Sequence, residues 1–154
     1  MRLVLDYHRA TPAQSLAADI GLLLARLPLG ILFVYAGWHK VTGGVANFVN
    51  GSAKTIPHFL PETLGRAYLW AVPWAELTVG VCLILGLMTR LIGLIATLMV
   101  ISFTIAVTGV KAAPPGGPFN TNIFYIALAA ALALLGPGRI SIDHLISSRR
   151  SSQP

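Results

Sequence analysis

Residues 67–110 read AYLW AVPWAELTVG VCLILGLMTR LIGLIATLMV ISFTIAVTGV. Two apolar runs lie in this stretch, Ala67 to Thr89 with the single charge Glu76, and Leu91 to Val110 with none. A helix needs about 20 mostly apolar residues to cross a hydrocarbon core, and each run is long enough. The turn between them, Met88 to Arg90, leaves room only for a reversal, so the two helices are expected to be antiparallel neighbours. Upstream, Ile20 to Trp38 is a third run, with one charge, Arg26. Downstream, Ala112 to Gly138 is again uncharged. Pro114, Pro115, Gly116, Gly117 and Pro118 cannot start a helix comfortably, so the last helix is predicted over Thr121 to Leu135, short for a span.

Composition agrees. Of 154 residues, 55% are hydrophobic and 10% charged, and mean hydropathy is +0.74. Soluble domains carry about 25% charged residues, and a chain this short cannot bury so much apolar surface in one core. A soluble enzyme and a disordered chain are excluded. The net charge of +6 does not indicate nucleic-acid binding, because the basic residues are scattered between apolar runs and form no stripe. The expectation is an all-α integral membrane protein, an antiparallel four-helix bundle over residues 19–136, with tails at 1–18 and 137–154. The partner this implies is the lipid bilayer, with no nucleic acid.

The connection from His39 to Thr63 carries Gly43, Gly44, Gly51, Pro57 and Pro61 around an apolar centre, Val45 to Val49, which predicts a short interfacial helix between the first and second spans. After Gly136-Pro137-Gly138, Ser141 is placed to cap a short amphipathic helix, Ile142 to Ile146. The last six residues, Arg149 to Pro154, read as disordered. Four spans put both termini on one side, with Arg2, Arg9, Arg90, Arg139, Arg149 and Arg150. Lys40, Lys54, Arg66 and Lys111 fall on the other. The basic excess assigns the termini to the cytoplasmic side of the cell membrane.

Two charges stand inside apolar runs. Each costs about 2.5 to 3.5 kcal/mol near a span centre on insertion scales. Counted in from a cytoplasmic start near Ala18 and back from Leu87, Arg26 and Glu76 reach similar depth, so an Arg26–Glu76 ion pair is the cheapest arrangement. Pro28 and Pro73 free the carbonyls of Leu24 and Leu69, and a freed carbonyl would suit the guanidinium. An interior face is marked by helical spacing: Arg26, Gly30, Phe33, Gly37 and Lys40 on the first helix, and Pro73, Glu76, Gly80, Leu83 and Leu87 on the second. Gly93, Thr97, Ile101, Thr104 and Thr108 continue it on the third, and Asn122, Tyr125, Ala129 and Gly136 on the fourth. Trp38, Trp70, Trp74, Tyr68 and Tyr125 form an aromatic belt, or a wall for a flat ring. His8, His39, His58 and His144 lack metal-ligand spacing, so no metal is expected. Cys82, alone, permits no internal disulfide.

The stretches that carry these polar positions resemble one known family. Arg26-Leu-Pro-Leu-Gly30-Ile-Leu-Phe33-Val-Tyr-Ala-Gly37-Trp-His-Lys40 resembles the opening signature of the DoxX family. Glu76-Leu-Thr-Val-Gly80-Val-Cys-Leu-Ile-Leu-Gly86-Leu-Met-Thr-Arg90 looks like its second signature. Asn122 through Ala127-Leu-Ala, then Leu-Gly136-Pro-Gly138-Arg-Ile-Ser141-Ile-Asp143, looks like its closing one. The resemblance implies a four-helix membrane protein in a family named for subunits linked to quinone reduction and thiosulfate oxidation. Its polar positions fall here on Arg26, Lys40, Glu76, Arg90 and Asp143. The chain departs from the pattern at Pro28 and in the Pro-Pro-Gly-Gly-Pro stretch before the last helix.

Three functional readings follow. One is a quinone-interacting subunit of a membrane oxidoreductase system, with no covalently bound cofactor. Its ligand pocket would be formed by Arg26, Glu76, Lys40, Trp74, Tyr125 and Asn122, with electrons supplied by an oxidoreductase partner subunit. The second is a scaffold or assembly protein without catalysis. The third is a small proton-coupled transporter, for which four spans call for a homo-oligomer or a very small substrate. In all three, Gly30, Gly37, Gly80, Gly86, Arg90, Gly136, Gly138, Ser141 and Asp143 are expected to serve structure.

Overall fold

A computed structural model describes residues 12–108 and 121–150 of the chain. Among these residues there are helices and no strands: α1 (Pro12–Thr42), α2 (Val45–Ser52), a 3-10 turn (Ala53–Thr55), α3 (Glu62–Leu85), α4 (Thr89–Thr108), α5 (Thr121–Leu135) and α6 (Ile142–Arg150). Three helices are long and apolar enough to cross a membrane, over Leu16–Thr42, Glu62–Leu85 and Thr89–Ala106. The apolar α5 is shorter. The Pro-Pro-Gly-Gly-Pro stretch, residues 114–118, lies outside the described residues.

Helix ends differ from the apolar runs for local reasons. α1 starts eight residues before Ile20, at Pro12, inside the expected N-terminal tail. Proline is well suited to a first helical position, and no residue between Pro12 and Asp19 breaks the helix. α3 starts directly after Pro61 and stops at Gly86, which takes the left-handed conformation with φ +66°. There Leu87 N–H donates to the Cys82 carbonyl at 2.9 Å and Gly86 N–H to the Leu83 carbonyl at 3.2 Å. This Schellman-type closure uses up carbonyls that the helix end would leave orphaned. α4 begins two residues before the predicted Leu91, and residues 109–110 of that expectation are not described. α5 spans the predicted residues. α6 starts where expected, with His144 N–H donating to Ser141 Oγ at 3.1 Å. It runs on through Arg149 and Arg150, which the sequence reading had placed in a disordered tail, while residues 151–154 lie outside the described set.

The helices pack as two tight antiparallel pairs. In the first, α1 and α3 meet at glycines. A Cβ on Gly30 would stand 2.9 Å from the Gly80 carbonyl oxygen, one on Gly80 2.6 Å from Val34 N, and one on Gly37 2.8 Å from the Pro73 carbonyl oxygen. In the second, a Cβ on Gly93 of α4 would meet Ala133 N of α5 at 2.8 Å. Small residues let backbones touch where lipid gives helices no hydrophobic reason to associate. The pairs then share one apolar core, built from Leu29, Phe33, Val79 and Leu83 on one side and Ile92, Ala96, Met99, Val100, Ala129 and Leu132 on the other. Cys82 packs against it, half-buried and free.

Candidate functional site

The glycine contacts fix the register of α1 against α3. With Gly30 facing Gly80 and Ile84, and Gly37 facing Pro73 and Leu77, Arg26 is level with Gly86. Glu76 is ten residues away along α3, about 15 Å at the helical rise. The expected Arg26–Glu76 pair therefore does not form. The depth count assumed that Ala18 and Leu87 lie at one level, whereas the packing brings Leu87 level with residue 25. Each charge has its own partner at its own end of the molecule.

At the end where α4 finishes and α5 begins, Lys40 Nζ donates to both carboxylate oxygens of Glu76, at 2.6 Å to Oε2. Glu76 is buried, and Lys40 is about three-quarters buried with its ammonium 5.2 Å from the Phe48 ring centroid and 5.8 Å from that of Phe103. A lysine desolvated by two aromatic faces and held by a buried carboxylate is well compensated. Nearby on the α3–α4 seam, Tyr68 hydrogen-bonds Ser102, and Ser102 Oγ donates to the Met99 carbonyl at 2.7 Å. Because the serine proton is committed to Met99, Tyr68 is the donor in the Tyr68–Ser102 bond, and the phenolic oxygen keeps its acceptor capacity. These two hydroxyls line an apolar cavity of about 290 Å³ walled by Ile56, Phe59, Leu60, Leu69 and Ile105. Tyr68 lies two turns before Glu76 on α3.

At the opposite end Arg26 is fully buried. Its Nη2 donates to the Ile140 carbonyl, not to the carbonyl that Pro28 frees. Nε and Nη1 have no acceptor among the described residues, nor has the buried Thr89 hydroxyl. The guanidinium fits only because Gly86 has no side chain: a Cβ there would collide with Nη1 and come within 2.7 Å of Ser141 Cβ. Its charge sits where α3 ends, among C-terminal carbonyls that favour a cation. Asp143 binds the other side of the same turn, accepting from Met88 N–H at 2.7 Å and Thr89 N–H at 2.9 Å, while its own N–H donates to the Gly86 carbonyl at 3.1 Å. Asp19 Oδ1 accepts from Arg139 N–H at 2.8 Å. Gly136 and Gly138 take φ +86° and +69°, turning the chain so that Ile140 and Asp143 reach these partners.

The expected pocket residues are thus divided. Lys40 and Glu76 come together, and Arg26 does not join them. Asn122 Nδ2 donates to Thr104 Oγ1 at 3.0 Å across α5 and α4, and Tyr125 packs against the shared core. Trp74 points outward, half-exposed, as do Trp38 and Trp70, so these indoles suit the belt, and Trp38 lines only a shallow apolar recess with Ile31, Val34, Tyr35 and Ile84. Arg90 is exposed, its chain running past Gly136. Sequence reasoning missed the Tyr68–Ser102 pair, the Phe48 and Phe103 rings over Lys40, and the backbone role of Asp19. Glycine spacing was the one signal that could have found the Lys40 partner, since aligning Gly30 with Gly80 sets Lys40 within reach of Glu76. No group of three His, Cys, Asp or Glu among the described residues is placed to hold a metal.

Comparison with known proteins fits this architecture. A family model described as DoxX matches residues 21–109. Inner membrane protein YqjF of Escherichia coli (strain K12) is 29% identical over 136 residues, which cover 85% of this chain and 95% of that protein. No solved structure matches the chain closely.

Proposed function

Because the chain belongs to the DoxX family of membrane proteins, we propose that it acts in the cell membrane as a quinone-interacting accessory component of a membrane oxidoreductase system. In this reading α1, α3, α4 and α5 all cross the bilayer, α2 lies at the interface, and both termini are cytoplasmic. Residues 19–136 are the membrane domain, flanked by the two tails.

The observation that carries the reading is the apolar cavity with hydroxyls at its wall. A lipid-soluble ring needs an apolar slot and one or two directed polar groups. The slot is there, and Tyr68 offers an acceptor oxygen because its proton is turned to Ser102. An acceptor suits the hydroxyl of the reduced ring, the quinol, better than the carbonyl of the quinone. Glu76 and Lys40, two turns further along α3, are an ionisable pair suited to receive or return a proton. The chain's part is binding and orientation, with electrons drawn from a partner oxidoreductase subunit.

The test is the melting temperature of the purified protein with a short-chain quinol and with the matching quinone. The quinol should raise it more than the quinone, and Tyr68→Phe should remove that difference while the fold persists. If neither compound shifts wild type well above micromolar concentration, the scaffold reading takes precedence. That reading has its own support: both buried cations, Arg26 and Lys40, are held by groups of the chain itself.

A further inference from the structure

The end of the molecule that carries Arg26 has a charge distribution which the amino-acid counts conceal. Its described acids face inward. Asp143 spends both oxygens on the backbone N–H groups of Met88 and Thr89. Asp19, whose side chain is 12% exposed, accepts from Arg139 N–H, and its second oxygen is 3.9 Å from Arg139 Nε, at the outer limit of an ion pair. Arg90 and Arg139 face outward. Arg90 is exposed and has no acidic partner among the described residues. The Arg139 side chain is 68% exposed. Arg149 and Arg150 follow in the last turn of α6. Interleaved with them, Met88, Ile140, Leu145 and Ile146 are all exposed. At the other end two cations meet acids, Lys40 bound to Glu76 and Arg66 to Glu62 at 2.8 Å, while Lys54 is exposed.

We propose that the surface made by Met88, Arg90, Arg139, Ile140, Leu145 and Ile146 is a seat for anionic phospholipid headgroups of the surrounding bilayer. Guanidinium forks match a phosphodiester in shape and charge. Basic residues beside a span are attracted to an anionic leaflet. The apolar members select a phospholipid over a free phosphate, since exposed leucine and isoleucine between arginines gain only where an acyl boundary receives them. The seat is preformed. Asp143 ties the first turn of α6 to the α3–α4 turn, so Leu145 and Ile146 are carried on an anchored helix beside Arg90. Using both acids as backbone acceptors leaves the outer face cationic and the inner face satisfied. The inference stands apart from the quinone reading.

The experiment measures the melting temperature of the full chain in detergent with added phosphatidylglycerol or phosphatidylcholine, at low and high salt. Phosphatidylglycerol should raise it by several degrees more than phosphatidylcholine, and high salt should shrink the difference. Arg90→Gln with Arg139→Gln should abolish the difference, while Lys54→Gln at the far end should leave it intact. Should the double variant fail to fold, Arg139→Gln alone, at a largely exposed side chain, should reduce the difference. Equal melting in the two lipids overturns the proposal, as does retention of the full difference after the arginine substitutions. An acidic protein as the true partner would appear as no preference between the two lipids.

Discussion

Lys40 and Glu76 show how one residue's partner is decided by packing several residues away. Glu76 is buried with Lys40 as its partner, so Lys40→Met strands a carboxylate. The expected loss is about 3 to 5 kcal/mol, less if the carboxyl takes up a proton. Lys40→Met combined with Glu76→Leu should recover most of it, which denaturant unfolding of the two variants beside the wild type in detergent would measure. Arg26→Leu and Glu76→Gln, about 15 Å apart along the helices, should add within about 0.5 kcal/mol, and a larger coupling would restore the pair that sequence depth suggested. Gly86 is the second test at this scale. Its left-handed φ alone costs an alanine about 1 to 2 kcal/mol, and the added Cβ would also displace the Arg26 guanidinium. Gly21→Ala, where nothing stands within 4 Å, removes a helix-breaking residue and should be neutral or stabilising by up to about 1 kcal/mol. If the two alanine variants melt alike, Gly86 has no special role.

At the scale of the helix, the sequence is a good guide to which segments are helical and a poor one to how they align. Apolar runs located α1, α3, α4 and α5 because lipid-facing and core-facing positions alike are hydrophobic. They did not mark the start of α1, because hydropathy reports what sits in a membrane, while the helix begins at Pro12 and continues to Asp19 with no breaker to stop it. The glycines were legible as an interior face, but spacing along one helix does not say which residue they meet on another. That depends on where backbones approach most closely, at Gly30 against Gly80 and Gly37 against Pro73. Tyr68–Ser102 was harder still: thirty-four residues separate the two, and an aromatic belt already accounted for the tyrosine. The α1–α3 contact is testable. Gly80→Ala would push a methyl into Val34 N and the Gly30 carbonyl, an overpacking of about 1 to 3 kcal/mol. Gly51→Ala, with open space around it, should leave the melting temperature nearly unchanged.

On the scale of the whole molecule, the two helix pairs are locked together at one end by the segment from Gly136 to Asp143, through Arg26, the α3–α4 turn and Asp19. The far end is joined through the Tyr68–Ser102 contact between α3 and α4, while the Lys40–Glu76 pair ties α1 to α3 within one pair. This arrangement bears on topology. The sequence count of basic residues separates the two sides by a thin margin, six against four. Two of the six, Arg90 and Arg139, are exposed. In the proposed orientation, which follows the positive-inside rule, the α6 end is cytoplasmic. A reporter joined after Ser148 should read cytoplasmic and one inserted after Gly51 should read the outer side. Should both report one side, a span is missing, and α5 is the helix at fault. Its 15 residues reach about 22 Å at the helical rise, short of a hydrocarbon core of about 30 Å. Extending α5 by three leucines after Leu135 distinguishes the cases. If α5 crosses, the added turn moves Arg26's acceptor Ile140 out of register and lowers stability without changing the side that Ser148 reports. If α5 is re-entrant, the longer apolar helix should cross, and the reporter at Ser148 should switch sides.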